Sequence, residues 1–140
     1  MNKKEQKKIL SIVSPVYNEA ENLGEFYSRV INATDNLNLE IEIIYINDGS
    51  QDSTIDIITK QRQIDNRITI IDLSRNFGKE IALTAGLDYS SGEAVIVIDA
   101  DLQDPPELIP KLVEKWREGY DVVNAKRIKR KGESLLKKVM

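Results

Sequence analysis

Five short runs rich in β-branched residues punctuate this chain: Ile9 to Val13, Ile41 to Ile46, Ile68 to Leu73, Ala94 to Ile98 and Asp121 to Asn124. Runs of this length and composition read as strands. Between them, apolar residues recur at helical spacing: Leu23, Phe26, Tyr27, Val30 and Ile31, then Ile57, Ile58 and Ile64, then Phe77, Ile81 and Ala85, then Leu108, Leu112 and Trp116. Strand and helix in strict alternation admit few folds. Right-handed crossovers bring successive strands back parallel, and the helices cover both faces of the resulting sheet. Such a sheet needs strands that are apolar on both sides, as these are. The expected class is α/β, Rossmann-like, with a mostly parallel sheet and ligands gathered at its carboxyl edge.

Helix starts agree with this order. Asn18 with Glu21, and Asp104 with Glu107, have the spacing of a side-chain cap and its reciprocating carboxylate, and Pro105 suits a first helical position. The 140 residues, 41% hydrophobic and 31% charged, suffice for one compact domain. It is expected over residues 9–125, after a charged tail at 1–8 and before a basic loop or tail at 126–140 with Gly132 as a break. The net charge of -3 gives no reason to expect nucleic-acid binding. Cysteine and histidine are both missing from the composition, which excludes disulfides, thiolate or imidazole zinc sites and Ser/His or Cys/His nucleophile pairs. Chemistry must rest on carboxylates, amides, cations or a metal. Every apolar run is far shorter than the ~20 residues of a membrane helix, and residues 1–8 lack the apolar stretch of a signal peptide, so the chain taken alone is expected to be soluble and cytoplasmic.

Where the fourth run ends stand Asp99-Ala100-Asp101-Leu102-Gln103. On an extended central strand, Asp99 and Asp101 would share one side, opposite Ala100 and Leu102. Two like charges at a buried strand end call for a counterion, and oxygen ligands of this kind suit Mg²⁺ or Mn²⁺ with positions left open for a diphosphate. The other edge loops are Ser14-Pro15-Val16-Tyr17-Asn18-Glu19 and Asn47-Asp48-Gly49-Ser50-Gln51-Asp52-Ser53-Thr54. Neither is a glycine-rich phosphate loop, so a metal must carry that load. Asp48 beside a turn glycine is placed to accept hydrogen bonds from a base or ribose, and Pro15 and Tyr17 to wall one face of a base.

Taken together, S-P-V-Y-N-E, N-D-G-S-Q-D-S-T, S-R-N-F-G-K-E, D-A-D-L-Q-D-P-P-E and W-R-E-G-Y-D-V-V resemble glycosyltransferase family 2, nearest its polyprenyl-phosphate branch of bactoprenol glucosyltransferases and dolichol-phosphate mannosyltransferases. The likeness runs from Ile9 to Arg127 in order. It implies a GT-A fold, a nucleotide-sugar donor (leaning to UDP-glucose), a divalent metal, and transfer with inversion to a polyprenyl phosphate. By position, Pro15, Tyr17, Asn18 and Glu19 match the nucleoside pocket and Asp48 the acid at the base. Asp99 and Asp101 match the DXD motif, Asp101 as the direct metal ligand, Gln103 assisting metal or phosphates, and Asp99 facing ribose and sugar. Ser74, Arg75 and Lys79 fall in a segment near the donor, and Arg127 matches a basic position facing phosphate. Family members run well beyond this length, so the chain is expected to be a truncated donor-binding portion, weakly active or inactive alone. A longer form would sit at the cytoplasmic face of a membrane, reached through segments that follow, and an exposed sheet edge would favour a homo-oligomer.

Structural rivals are simpler. Asp104 is explained as a helix cap, Asn18 is a cap as readily as a ligand, Glu19 suits a first helical turn, and the basic tail reads as a solvated run. Lys79 near a helix start is disfavoured unless an anion lies close, a need that phosphate would meet. A lipid monophosphate acceptor, with a second pKa of about 6, would be largely anionic near neutral pH, which makes a strong general base dispensable. Two other classes compete. A flavodoxin-like receiver or nucleotide-sensing module would need acids after the first and third strands, where Ser14-Pro15 and Ser74-Arg75 stand instead. A nucleotidyltransferase would present a basic glycine-rich loop after the first strand.

Overall fold

The computed structural model describes residues 6–127 and 134–139, with side chains described through residue 121. Four parallel strands, β1 (Ile9–Val16), β2 (Glu40–Asn47), β3 (Ile68–Asp72) and β4 (Ala94–Val97), form a sheet in the order β3-β2-β1-β4. Helices α1 (Leu23–Thr34), α2 (Thr54–Ile64) and α3 (Lys79–Tyr89) make the crossovers, and a 3-10 turn at Pro106–Leu108 leads into α4 (Ile109–Arg117). This is the α/β order that the strand and helix periods predict. Beyond α4, β5 (Val122–Arg127) pairs antiparallel with β6 (Ser134–Val139), so part of the expected basic loop at 126–140 is strand.

The period of two along β1 sorts its side chains between two cores. Leu10, Ile12 and Val16 join Phe26, Val30, Ile58, Ile109 and Val113 in the larger one, under α1, α2 and α4. Val13 points the other way, with Ile44, Ile46 and Ala82, under α3. Cover is therefore unequal, three helices against one.

The inequality corrects the expectation of a central fourth strand buried on both sides. Among the described residues β4 pairs only with β1 and stands at the sheet edge. Its side chains alternate, and Val95 and Val97 are 38% and 45% exposed because α3 packs over β1 and β2 rather than over β4.

Close packing also overturns two helix-face expectations. On α3 the buried positions are Ala82 and Gly86, one step from the expected Ile81 and Ala85, and Ile81 is exposed. A Cβ on Gly86 would lie 2.5 Å from Ile46 Cδ1 and 2.6 Å from Val13 Cγ1, so only small residues fit between helix and sheet. In α4 the buried pair is Ile109 and Val113 rather than Leu108, Leu112 and Trp116, and Ile64 of α2 is exposed.

Neither expected cap forms. Helix α1 begins five residues after Asn18, with Asn22 as its cap residue and no side-chain cap bond. Pro106, not Pro105, opens the 3-10 turn. A residue before proline is pushed out of the helical region, and Pro105 is extended (φ -71, ψ 126), which removes Asp104 from the cap position.

At the amino end of the layers, Asp65 joins helix to helix. Its carboxylate accepts two bonds from the Arg67 guanidinium, at 2.9 and 2.8 Å, and one from the Tyr27 hydroxyl at 2.6 Å. Arg67, opposed by burial and helped by Tyr27, holds the Asp65 carboxyl well below the usual carboxylate range. A depressed folded pKa stabilises above the unfolded value, about 3.9, and that stabilisation is lost as pH falls toward the folded one. Asp65→Asn is expected to cost about 1.5–3 kcal/mol in urea unfolding at pH 7, a deficit that narrows when the same comparison is made at pH 3.

Candidate active site at the carboxyl edge

The four loops at the carboxyl ends of the strands are linked in series by hydrogen bonds. The first loop is fastened to the second by backbone amides meeting side-chain oxygens. The Asn18 amide donates to Ser50 Oγ at 2.9 Å, and Asn18 Oδ1 in turn accepts the Gln51 amide at 2.8 Å. Glu19 donates its amide to Thr54 Oγ1, and Ala20 its amide to Asp52 Oδ2. Asn18 takes a left-handed backbone (φ 52), which asparagine tolerates, and so turns its side chain to the loop instead of to a helix.

The second loop holds the third through Asp48. This residue is buried, and its two oxygens accept the amides of Phe77 at 2.8 Å and Gly78 at 3.1 Å. Gly49 follows with φ +74, and a Cβ there would lie 2.3 Å from the Asn76 nitrogen. The turn glycine thus lets the backbone of residues 75–76 cross directly over it. Asp48 was expected to face a base or ribose. Its carboxylate organises backbone here, and a ligand contact would use its remaining lone pairs.

The third loop reaches the fourth through Lys79. Gly78 gives its amide to Asp48, and the next residue extends Lys79 Nζ to within 2.7 Å of Asp99 Oδ2. The anion near this helix start is a side chain of the chain itself, Asp99, where the expectation was a phosphate. Its hydrogen bond, aided by burial-opposed attraction to Asp101 and Asp104, raises the Lys79 ammonium above its ordinary value. With Lys79 62% and Asp99 29% exposed, the pair is worth about 0–1 kcal/mol, little enough for a ligand to displace.

Asp99 to Gln103 form a turn rather than a strand end, since β4 stops at Val97. Ala100 is buried and Leu102 packs against the larger core with φ +67, a left-handed conformation costing roughly 1–2 kcal/mol for a branched side chain. Packing of the half-buried Leu102 against the core offsets part of that cost. Asp101 Oδ1 accepts the Gln103 amide at 3.1 Å, leaving Oδ2 without a hydrogen bond among the described residues. Arg29 anchors the exit of the turn by donating to both oxygens of Glu107.

Of the other expected site residues, Tyr17 is exposed on the rim and Pro15 half-buried at the end of β1. Ser74 and Arg75 are exposed in the third loop, with the Arg75 guanidinium 4.1 Å above the Phe77 ring. The Arg127 side chain lies outside the described residues. Ser50, Asp52 and Thr54 were missed by sequence reasoning, although Asp52-Ser53-Thr54 before a helical period carries the short polar side chains that bind local backbone. No three acidic, histidine or cysteine side chains among the described residues cluster into a ready metal cage. Hard divalent ions bound through one or two carboxylates plus substrate phosphates need none. The open oxygen of Asp101, with the Gln103 amide group beside it in sequence, fits an ion of that kind.

Two substitutions test the clamp. Asp48→Asn is expected to lower stability by about 1.5–3 kcal/mol in denaturant unfolding and to speed hydrogen exchange at the Phe77 and Gly78 amides. Gly49→Ala should act on the same amides through the 75–76 backbone. Unchanged exchange at both positions in both variants would refute the clamp.

The sequence pattern of Glycosyl transferase family 2 matches residues 11–140. An uncharacterized glycosyltransferase of Bacillus subtilis is 55% identical over 91% of this chain and 40% of its own length. The bactoprenol glucosyl transferase of Shigella phage SfV is 49% identical over 92% of this chain and 42% of its own. The chain thus spans about two fifths of the length of these curated relatives. Among solved structures, the Pyrobaculum calidifontis mannosyltransferase PcManGT, in complex with GDP-Man and Mn²⁺, superposes with a TM-score of 0.69 at 24% identity, over 90% of this chain and 37% of its own. Staphylococcus aureus TarS 1-349 with UDP gives 0.68 at 24%, over 91% and 38%. The fold is that of the GT-A glycosyltransferases. With its motifs in order on that fold, the chain belongs to glycosyl transferase family 2.

Proposed function

We propose that this chain is the donor-binding part of an inverting, metal-dependent glycosyltransferase that moves a sugar, glucose by the names of its relatives, from a nucleotide sugar to a polyprenyl phosphate. The observation that carries the reading is the tied rim itself. It joins an exposed aromatic, Tyr17, a buried carboxylate clamp, Asp48, and an acid turn with one uncommitted carboxylate oxygen, Asp101. Neighbours of the same fold hold UDP or GDP-Man with Mn²⁺, which supports a nucleotide sugar as the ligand class.

On this reading Pro15, Tyr17, Asn18 and Glu19 line the nucleoside, and Asp48 meets the base through its remaining lone pairs while fixing the loops against which it rests. Ser74, Arg75 and Lys79 flank the diphosphate, and Arg127 would add a further cation facing the donor phosphates. Asp99 faces ribose and sugar, while Asp101 and Gln103 hold Mg²⁺ or Mn²⁺. When bound, the ion neutralises charge on the departing diphosphate. Lys79, exchangeable from Asp99, supplies a second positive charge where the leaving group forms. The rim orients donor and acceptor for a single in-line displacement. An acceptor phosphate attacks as an anion near neutral pH and asks no general base of this chain.

The acceptor, the cytoplasmic membrane face and self-association through the open β4 edge belong to the same proposal. Among the described residues no helix is long and apolar enough to cross a membrane.

Calorimetric titration with UDP, GDP, UDP-glucose and GDP-mannose, with and without Mn²⁺, tests the reading on the chain and on Asp101→Asn. Uridine binding that requires Mn²⁺ and weakens about tenfold or more in the variant is expected. Metal-independent binding, or equal binding to Asp101→Asn, would overturn it.

A further inference from the structure

At the amino edge of the sheet, opposite the candidate active site, lies a second concavity that donor chemistry does not use. It encloses about 470 Å³ and is lined by Lys7, Lys8, Asn38, Leu39, Trp116 and Arg117. The chain as a whole carries a net charge of -3, yet three cations converge here. None of the three forms an ion pair among the described residues.

Two of them are held by neutral partners. Lys8 Nζ sits 5.5 Å from the centre of the Trp116 ring. Arg117 Nη2 donates to the Leu37 carbonyl oxygen, which uses one of the five N–H donors of its guanidinium. The Lys8 backbone is itself fixed, since its carbonyl accepts the Glu40 amide at 2.9 Å. Cations anchored this way keep their charge for a ligand and lose little freedom on binding one. The acid whose charge reaches Lys8 is Glu93, and its carboxylate is already engaged by the Ile9 amide at 2.6 Å. Glu118 is engaged by Lys115. The carboxyl end of α4 attracts a cation, which accounts for Arg117 within its last turn. It does not account for two lysines from another segment gathered with an aromatic wall around a hollow.

We propose that this pocket binds a phosphate-bearing anion, with the remaining Arg117 fork and the Lys7 and Lys8 ammonium groups as donors and Trp116 as the wall. A planar guanidinium beside point-charge ammonium groups is the donor set that phosphate oxygens favour. Free phosphate and a lipid headgroup share this chemistry.

Trp116 is the sole tryptophan of the chain, so tryptophan emission excited selectively, to the red of tyrosine absorption, reads this pocket and not the donor site. The full chain is titrated with inorganic pyrophosphate at constant ionic strength, and separately with phosphatidylcholine vesicles with and without phosphatidylglycerol. A saturable change is expected in one arm, identifying free phosphate or headgroup as the source. It should weaken about tenfold or more in Lys7→Gln/Arg117→Gln, which leaves the Lys8 contact to Trp116 in place. No saturable response in either arm, or one retained in the double variant, would overturn the proposal. Either outcome is independent of Mn²⁺-dependent uridine binding at the opposite edge.

Discussion

The carboxylate of Asp48 is the interaction on which the carboxyl edge depends. A buried carboxylate is costly unless hydrogen bonds replace its water, and here two backbone amides of the third loop do so. The same bonds fix residues 77–78 in space, and therefore the start of α3 and the direction of Lys79. Because Gly49 lets that loop pass close above the second loop, the two cannot slide independently. Asn18, Asp52 and Thr54 then add the first loop, and the Lys79 pair adds the fourth.

Strength grades along this chain of contacts in a way that suits binding. The Asp48 clamp is buried and charge-assisted, which makes it permanent. The Lys79–Asp99 pair is solvent-exposed and weak, which makes it exchangeable. A rim that is rigid beneath and adjustable at its charged tip can hold a diphosphate without being rebuilt. Leu102 serves the same end from below, since its packing against the core holds the acid turn in a conformation that a free peptide would leave.

Much of this was legible in the residues. Strand and helix periods marked every element of the parallel sheet, because an apolar face must repeat at the spacing of its own backbone. The acids and amides of the site stood at strand ends, where an α/β fold collects ligands. What failed had two causes. Asn18 and Asp104 have ideal cap spacing, but one is drawn to Ser50 and Gln51 and the other displaced by Pro106. Ile81 and Ala85 look like a buried face, but α3 lies so close that Ala82 and Gly86 take it. At Asp104 a neighbouring proline overrules the cap spacing, whereas at Asn18 and on α3 local preference is overruled by partners distant in sequence.

The sequence by itself determined the α/β class, the order of the parallel strands and their helices, the position of the acidic motif and the family, since all of these are written in local periods and contiguous motifs. Tertiary structure alone decided that β4 stands at an edge among the described residues, that Asp48 clamps backbone, and that Asp99 already has Lys79 as its counterion. Those facts are distances between segments up to 84 residues apart, such as Ile9 and Glu93, and no local pattern encodes which distant atoms will meet. Pairing across the fold is fixed only when burial and hydrogen-bond satisfaction are settled for all loops at once.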